Sequence, residues 1–151
     1  MRQFRKGKRL VALCEQKIQG VQRVLARLNS ERKNLIEQIA QCESEIRSLE
    51  QMLIKLQFNE ISVTKAEIYG QLKQKAFFLH QRQNAHLERT LHIENLTEID
   101  DEIARHQKQL AEIKRKEMKF TRWMQQGKQQ WMMQQESVSE DDKQDIFPWV
   151  M

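Results

Sequence analysis

The chain has 151 residues, with 26 Lys and Arg against 21 Asp and Glu, for a net charge of +5 at neutral pH. Four Gly and one Pro (Pro148) leave almost no turn punctuation, which argues against an ordinary globular domain. Charged residues make up 31%, and Gln, Glu, Lys, Arg and Leu are abundant, as in long helices and coiled coils. No run of about 18 apolar residues exists, so no transmembrane helix is expected.

Residues 1–9 carry Arg2, Arg5, Lys6, Lys8 and Arg9 with no acid. The apolar run that follows, LVALC, is too short for the core of a signal peptide, so a cytoplasmic protein is expected. From Phe4 to Leu56 a heptad repeat is regular. One register holds Phe4, Val11, Ile18, Leu25, Arg32, Ile39, Ile46 and Leu53. The other holds Gly7, Cys14, Val21, Leu28, Leu35, Cys42, Leu49 and Leu56. A 3.5-residue spacing held this long predicts a supercoiled first helix, over about residues 2–57, whose narrow stripe needs one partner helix. Cys14 and Cys42 lie 28 residues apart on that helix, roughly 40 Å by helical rise, which excludes a disulfide between them. Both read as small apolar seam residues.

The repeat stops at QFNEISVTKAEIY, residues 57–69. Asn59 and Ser62 favour loop, because their side chains bond nearby backbone. Thr64 with Glu67 three residues on forms a capping box, so a turn is predicted at about 58–64. The second helix is predicted over about 65–135. Its stripe begins at Ile68, Leu72, Ala76 and Leu79 and loses regularity over 80–94, where a loosened patch or a stutter is expected. It resumes through Leu96, Ile99, Ile103, His106, Leu110, Ile113, Phe120 and Met124. The fold class is therefore all-α: a long antiparallel two-helix hairpin over 1–135, then a flexible acidic tail over 136–151. The tail's acids are Glu136, Glu140, Asp141, Asp142 and Asp145, and its apolar end is Ile146, Phe147, Trp149 and Val150. It either stays disordered, masks the basic head or docks on a partner.

A hairpin centred near 60–61 sets Cys42 opposite residue 79 and Phe120 opposite Met1. Arg32 then faces the irregular stretch 80–94. Residues from about Arg122 onward project past the first helix, exposing Trp123, Met124, Trp131, Met132 and Met133. Clustered aromatics and methionines mark a partner surface; the alternative is that they wrap back on the basic N-terminus. Gly127 weakens a helix interior, and a bend is expected there.

Little here points to chemistry. The glycines are isolated, so no phosphate loop exists. His80, His86, His92 and His106 lack the i, i+4 spacing of helix-borne metal ligands, and no cofactor is expected. A two-helix hairpin offers no concave pocket, so no catalytic residue is assigned. The basic head lacks a base-reading motif. An acidic protein partner fits it better than nucleic acid or a membrane surface.

Two segments carry a family resemblance: Thr64-Lys-Ala-Glu67-Ile68-Tyr69 with Gln71-Leu72-Lys73-Gln74-Lys75, and Arg122-Trp123 with Gly127-Lys128-Gln129-Gln130-Trp131. In these the chain resembles the type III secretion stalk proteins, the SctO group, nearest to its invasion-type SpaM/InvI members and related to flagellar FliJ. The resemblance implies a non-enzymatic cytoplasmic hairpin at the cytosolic face of the secretion apparatus, similar to the central stalk of rotary ATP synthases. Such a stalk links the hexameric secretion ATPase to the export gate, and the family is also reported to bind chaperones. By that analogy Arg2, Arg5, Lys6, Arg9, Trp123, Met124 and Trp131 meet the ATPase. Phe58, Ile61, Glu67, Tyr69 and Leu72 meet the export gate. The rival reading is a generic structural coiled coil, an adaptor or parallel homodimer with no secretion role. A third class, a substrate chaperone, would be acidic overall, which this chain is not.

Overall fold

A computed structural model describes the backbone of residues 2–58 and 64–150, and the side chains of 2–56 and 64–137. Two helices make up the fold, α1 (Arg2–Phe58) and α2 (Lys65–Val150), with no strand among the described residues. Thr64 precedes α2 as its cap residue: the Ile68 amide donates to the Thr64 carbonyl at 3.1 Å. Glu67 places an acid in the first turn, where the helix dipole favours it. α2 continues as helix to Val150, whereas the sequence pattern ended it near 135.

The heptad of α1 folds as its spacing dictates. Fifteen of its sixteen stripe positions are buried or half-buried, and Arg32 alone is exposed. The chain divides into two compact units, residues 1–25 with 105–151 and residues 26–104, and each is an antiparallel pairing of α1 with α2. In the first unit Cys14, Val21 and Ile113 form the core, with Ile18, Leu25, Leu110 and Phe120 packed against it. In the second unit Leu28, Cys42, Ile46, Leu49, Leu53, Ala85 and Ile103 are buried.

The register of pairing differs from the one expected. In the first unit Gly7 abuts Met124 and Gly127 abuts Gln3. In the second, Arg32 pairs with Asp100 and Glu43 with Arg89. Paired residue numbers thus sum to 130–132, about ten more than a centre at 60–61 implies. Cys42 lies at the level of Arg89, not residue 79. Arg32 does not meet the irregular stretch, because its partner is Asp100.

The stripe of α2 is also corrected. The less exposed positions run at alternating spacings of four and three from Gln71 through Lys75, Phe78, Arg82, Ala85, Arg89 and His92 to Leu96, and so on to Gly127. No stutter interrupts them. The residues expected at its start are instead exposed: Ile68, Leu72, Ala76 and Leu79. The sequence looks irregular over 80–94 because polar side chains occupy the seam there and leucines lie off it. Arg82 and Arg89 suit such sites, since their long stems cover apolar surface while the guanidinium reaches out.

Candidate partner surfaces

Four of the first five basic side chains of α1 follow the spacing i, i+3, i+4, i+7. Arg2, Arg5, Lys6 and Arg9 therefore share one face, and all four are exposed. The seam residues Phe4 and Gly7 fix that face outward by turning the opposite side of the helix to α2. Leu13, one turn further, is exposed as well and adds an apolar group to that surface.

Trp123 and Met124 do not project free of α1, as the expected register had them. The Gln3 side-chain amide donates to the Trp123 carbonyl at 3.1 Å, and Met124 lies directly on Gly7. Both side chains are half-buried. The Lys128 ammonium sits 5.8 Å from the centre of the Phe4 ring, a cation–π contact that ties α2 to the first turn of α1. Gly127 is buried against the Gln3 side chain within continuous helix. The same pairing leaves Trp131, Met132 and Met133 with no α1 residue opposite them, and all three are exposed.

In the second unit the first turns of α2 carry different chemistry. Tyr69 and Leu72 are well exposed, at 63% and 58%, and have no described α1 residue opposite. The Lys73 ammonium lies 4.8 Å from the centre of the Tyr69 ring. Glu67 is exposed on the first turn. The Phe58 side chain and all of Ile61 lie outside the described residues.

The seam of the second unit holds several polar groups. Arg89 donates to Glu43 at 3.1 Å, beside the buried Cys42. Burial pushes the Cys42 thiol pKa up, and the nearby Glu88 and Glu45 carboxylates add to this while Arg89 opposes it. His92 Nδ1 is buried in the seam with no hydrogen-bond partner. Among the described residues no group of three or more His, Cys, Asp or Glu is placed to hold a metal ion. A groove of about 550 Å³ in the first unit, lined by Lys17, Val21, Gln109, Ile113 and Lys116 among others, is an open flute between the helices. No described helix is long and apolar enough to cross a membrane.

Compared with known proteins, residues 5–147 match the family described as Salmonella surface presentation of antigen gene type M protein. The chain belongs to that family. Membership gives it a place among type III secretion components and a structural role there. No curated protein and no solved structure matches the chain. For this family member, sequence reasoning missed one feature, the row of exposed apolar residues Phe77, Leu87 and Leu91 on α2. Its signal was the i, i+4 pair Leu87 and Leu91 inside the stretch that looked merely irregular.

Proposed function

We propose that the chain is a non-enzymatic stalk or adaptor of a type III secretion system, linking the hexameric export ATPase to the cytosolic part of the export gate. The observation that carries this reading is a contrast in chemistry on one antiparallel helix pair. Arg2, Arg5, Lys6 and Arg9 form a basic face near the termini, next to exposed Trp131, Met132 and Met133. In the first turns of α2, Tyr69 and Leu72 offer apolar surface instead.

Distinct chemistry at the two places suits two different partners. The basic face with Trp131 contacts the ATPase, with Trp123 and Met124 holding α1 and α2 together beneath it. Phe58, Ile61, Glu67, Tyr69 and Leu72 contact the gate, and secretion chaperones use the same exposed surfaces. Work is done at the apparatus's cytosolic face, and no cofactor enters it.

The test titrates the full chain into its cognate purified ATPase while ATP turnover is followed. Stimulation by the parent chain, lost when Arg2, Arg5, Lys6 and Arg9 are changed to Glu and kept by Tyr69→Glu with Leu72→Glu, supports the reading. No stimulation and no co-migration on a sizing column would remove the ATPase link and favour the generic adaptor.

A further inference from the structure

Helices in a two-helix coiled coil normally turn apolar residues to the seam and charged residues outward. Along α2 from Tyr69 to Leu91 this order is partly inverted, although Phe78 and Ala85 still face the seam. Lys75, Arg82 and Arg89 occupy the seam, while Tyr69, Phe77, Leu87 and Leu91 stand 55–63% exposed. These four share one outward face with His80 at its centre, at −11, −3, +7 and +11 residues from it. The only charge on that face is Lys73, whose ammonium lies over Tyr69. Two of the three outward positions per heptad further along α2 hold Asp101, Arg105, Lys108, Glu112, Arg115 and Lys119, each charged and exposed, with Ala104, Ala111 and Met118 beside them. The lack of charge is therefore local to residues 69–91.

A face almost without charge is the kind that pairs with itself, because a twofold interface sets each group against the equivalent patch and so punishes any net charge. We infer that the outward face of α2 from Tyr69 to Leu91 is a homodimer interface, which packs antiparallel on the same face of a second copy about a twofold axis at His80. In that arrangement Tyr69 meets the second copy's Leu91, and the Lys73 stem covers its Leu87. Phe77 fills the space beside the short polar side chains across the axis. No carboxylate and no unshared cation enters the contact.

The face is 23 residues long, roughly 35 Å by helical rise, and about one helix wide. That is less than the ~800 Å² per partner of a typical stable complex, so the dimer forms and dissociates with concentration. Tyr69 also belongs to the surface proposed for the export gate, and on that reading pairing and gate contact exclude each other. The dimer itself rests on no secretion component, so its test is separate from the stalk reading.

Sedimentation equilibrium of the full chain over about a hundredfold range of concentration reads the association directly. The expected mass rises from 18.2 kDa towards twice that value. Leu87→Glu with Leu91→Glu is expected to weaken pairing at least about tenfold while helicity by circular dichroism stays unchanged, since both side chains are exposed. His80→Cys chains are expected to join through a short bis-thiol cross-linker, and Arg115→Cys chains, at the same helical position further along, are not. A chain that stays at 18.2 kDa throughout overturns the proposal. So does a dimer that survives the double variant or cross-links equally at position 115.

Discussion

Gly7 and Met124 approach so closely that a β-carbon on Gly7 would stand 2.8 Å from the Met124 β-carbon and 3.3 Å from its α-carbon. Those are anchored atoms, not the tip of a flexible side chain, so α1 and α2 would have to separate to admit one. Gly7→Ala is therefore expected to destabilise the first unit even though alanine is the better helix former by about 1 kcal/mol. Removing the rest of the Met124 side chain does not help, because alanine keeps the offending β-carbon. Thermal melts should show Gly7→Ala below the parent and Gly7→Ala with Met124→Ala no higher than Gly7→Ala alone.

Gly20 supplies the contrast, since a β-carbon there meets nothing within 4 Å. Gly20→Ala should raise stability by about 0.5–1 kcal/mol through helix propensity alone. A higher urea midpoint with an unchanged slope is the expected result; a lower midpoint would show that the position is not free.

Much of this fold was readable before any coordinates. The α1 heptad was legible because all but two of its sixteen positions are apolar, and its narrow stripe named a single partner helix. The start of α2 was legible from the Thr64–Glu67 cap signal, whereas Asn59 and Ser62 of the expected turn lie outside the described residues. The register was not. Burying Ile68, Leu72 and Leu79 looked favourable from sequence, yet the seam takes Lys75, Arg82 and Arg89 and leaves those residues out. Local apolar spacing reports which residues prefer burial, and it cannot say which of two faces the neighbouring helix occupies. The tight contact at Gly7 fixes that choice, and a glycine in a heptad pattern reads as a gap until its opposite number is known. The basic face was legible from spacing alone, whereas the placement of Trp123 and Met124 followed the register and moved with it.

Arg32 is the one exposed residue in the α1 stripe, and it donates to Asp100 at 2.7 Å. Both side chains are nearly half exposed, so solvent screens the pair and its worth is at most about 1 kcal/mol. Arg32→Leu restores an apolar residue to the stripe and leaves Asp100 hydrated. A net gain of up to about 1 kcal/mol is expected in urea unfolding. A loss of more than about 1 kcal/mol would show that the ion pair does more than its exposure allows.

Cys42 offers a pH test. Its thiol pKa is raised in the folded state by burial first and by Glu88 and Glu45 next. An acid whose pKa is raised by folding contributes stability that is fully present below its unfolded pKa, about 8.5 for a thiol, and lost as pH climbs through the folded value. Stability of the parent chain should therefore fall above pH ~8.5 more steeply than that of Cys42→Ala. Alkylation at pH ~8 should be slow for the folded chain and rapid in denaturant. Equal slopes for the two proteins would show that the thiol ionises in the fold as it does in the open chain.

The register itself is open to a direct chemical check, and it separates the observed pairing from the one the apolar spacing favoured. Cys42 lies at the level of Arg89, whose guanidinium bonds the adjacent Glu43. Leu79 stands ten residues away along α2, roughly 15 Å by helical rise, with its side chain exposed. Arg89→Cys should therefore form an intrachain disulfide with Cys42 under mild oxidation, because facing seam positions bring α-carbons within bonding range. Leu79→Cys should not. Each variant keeps Cys14, which is buried, and peptide mapping after oxidation identifies the linked pair. A bridge to position 79 in place of 89 would move α2 by about ten residues along α1 and would return Leu72 and Leu79 to the seam. It would also remove the nearly charge-free outward face on which self-pairing depends.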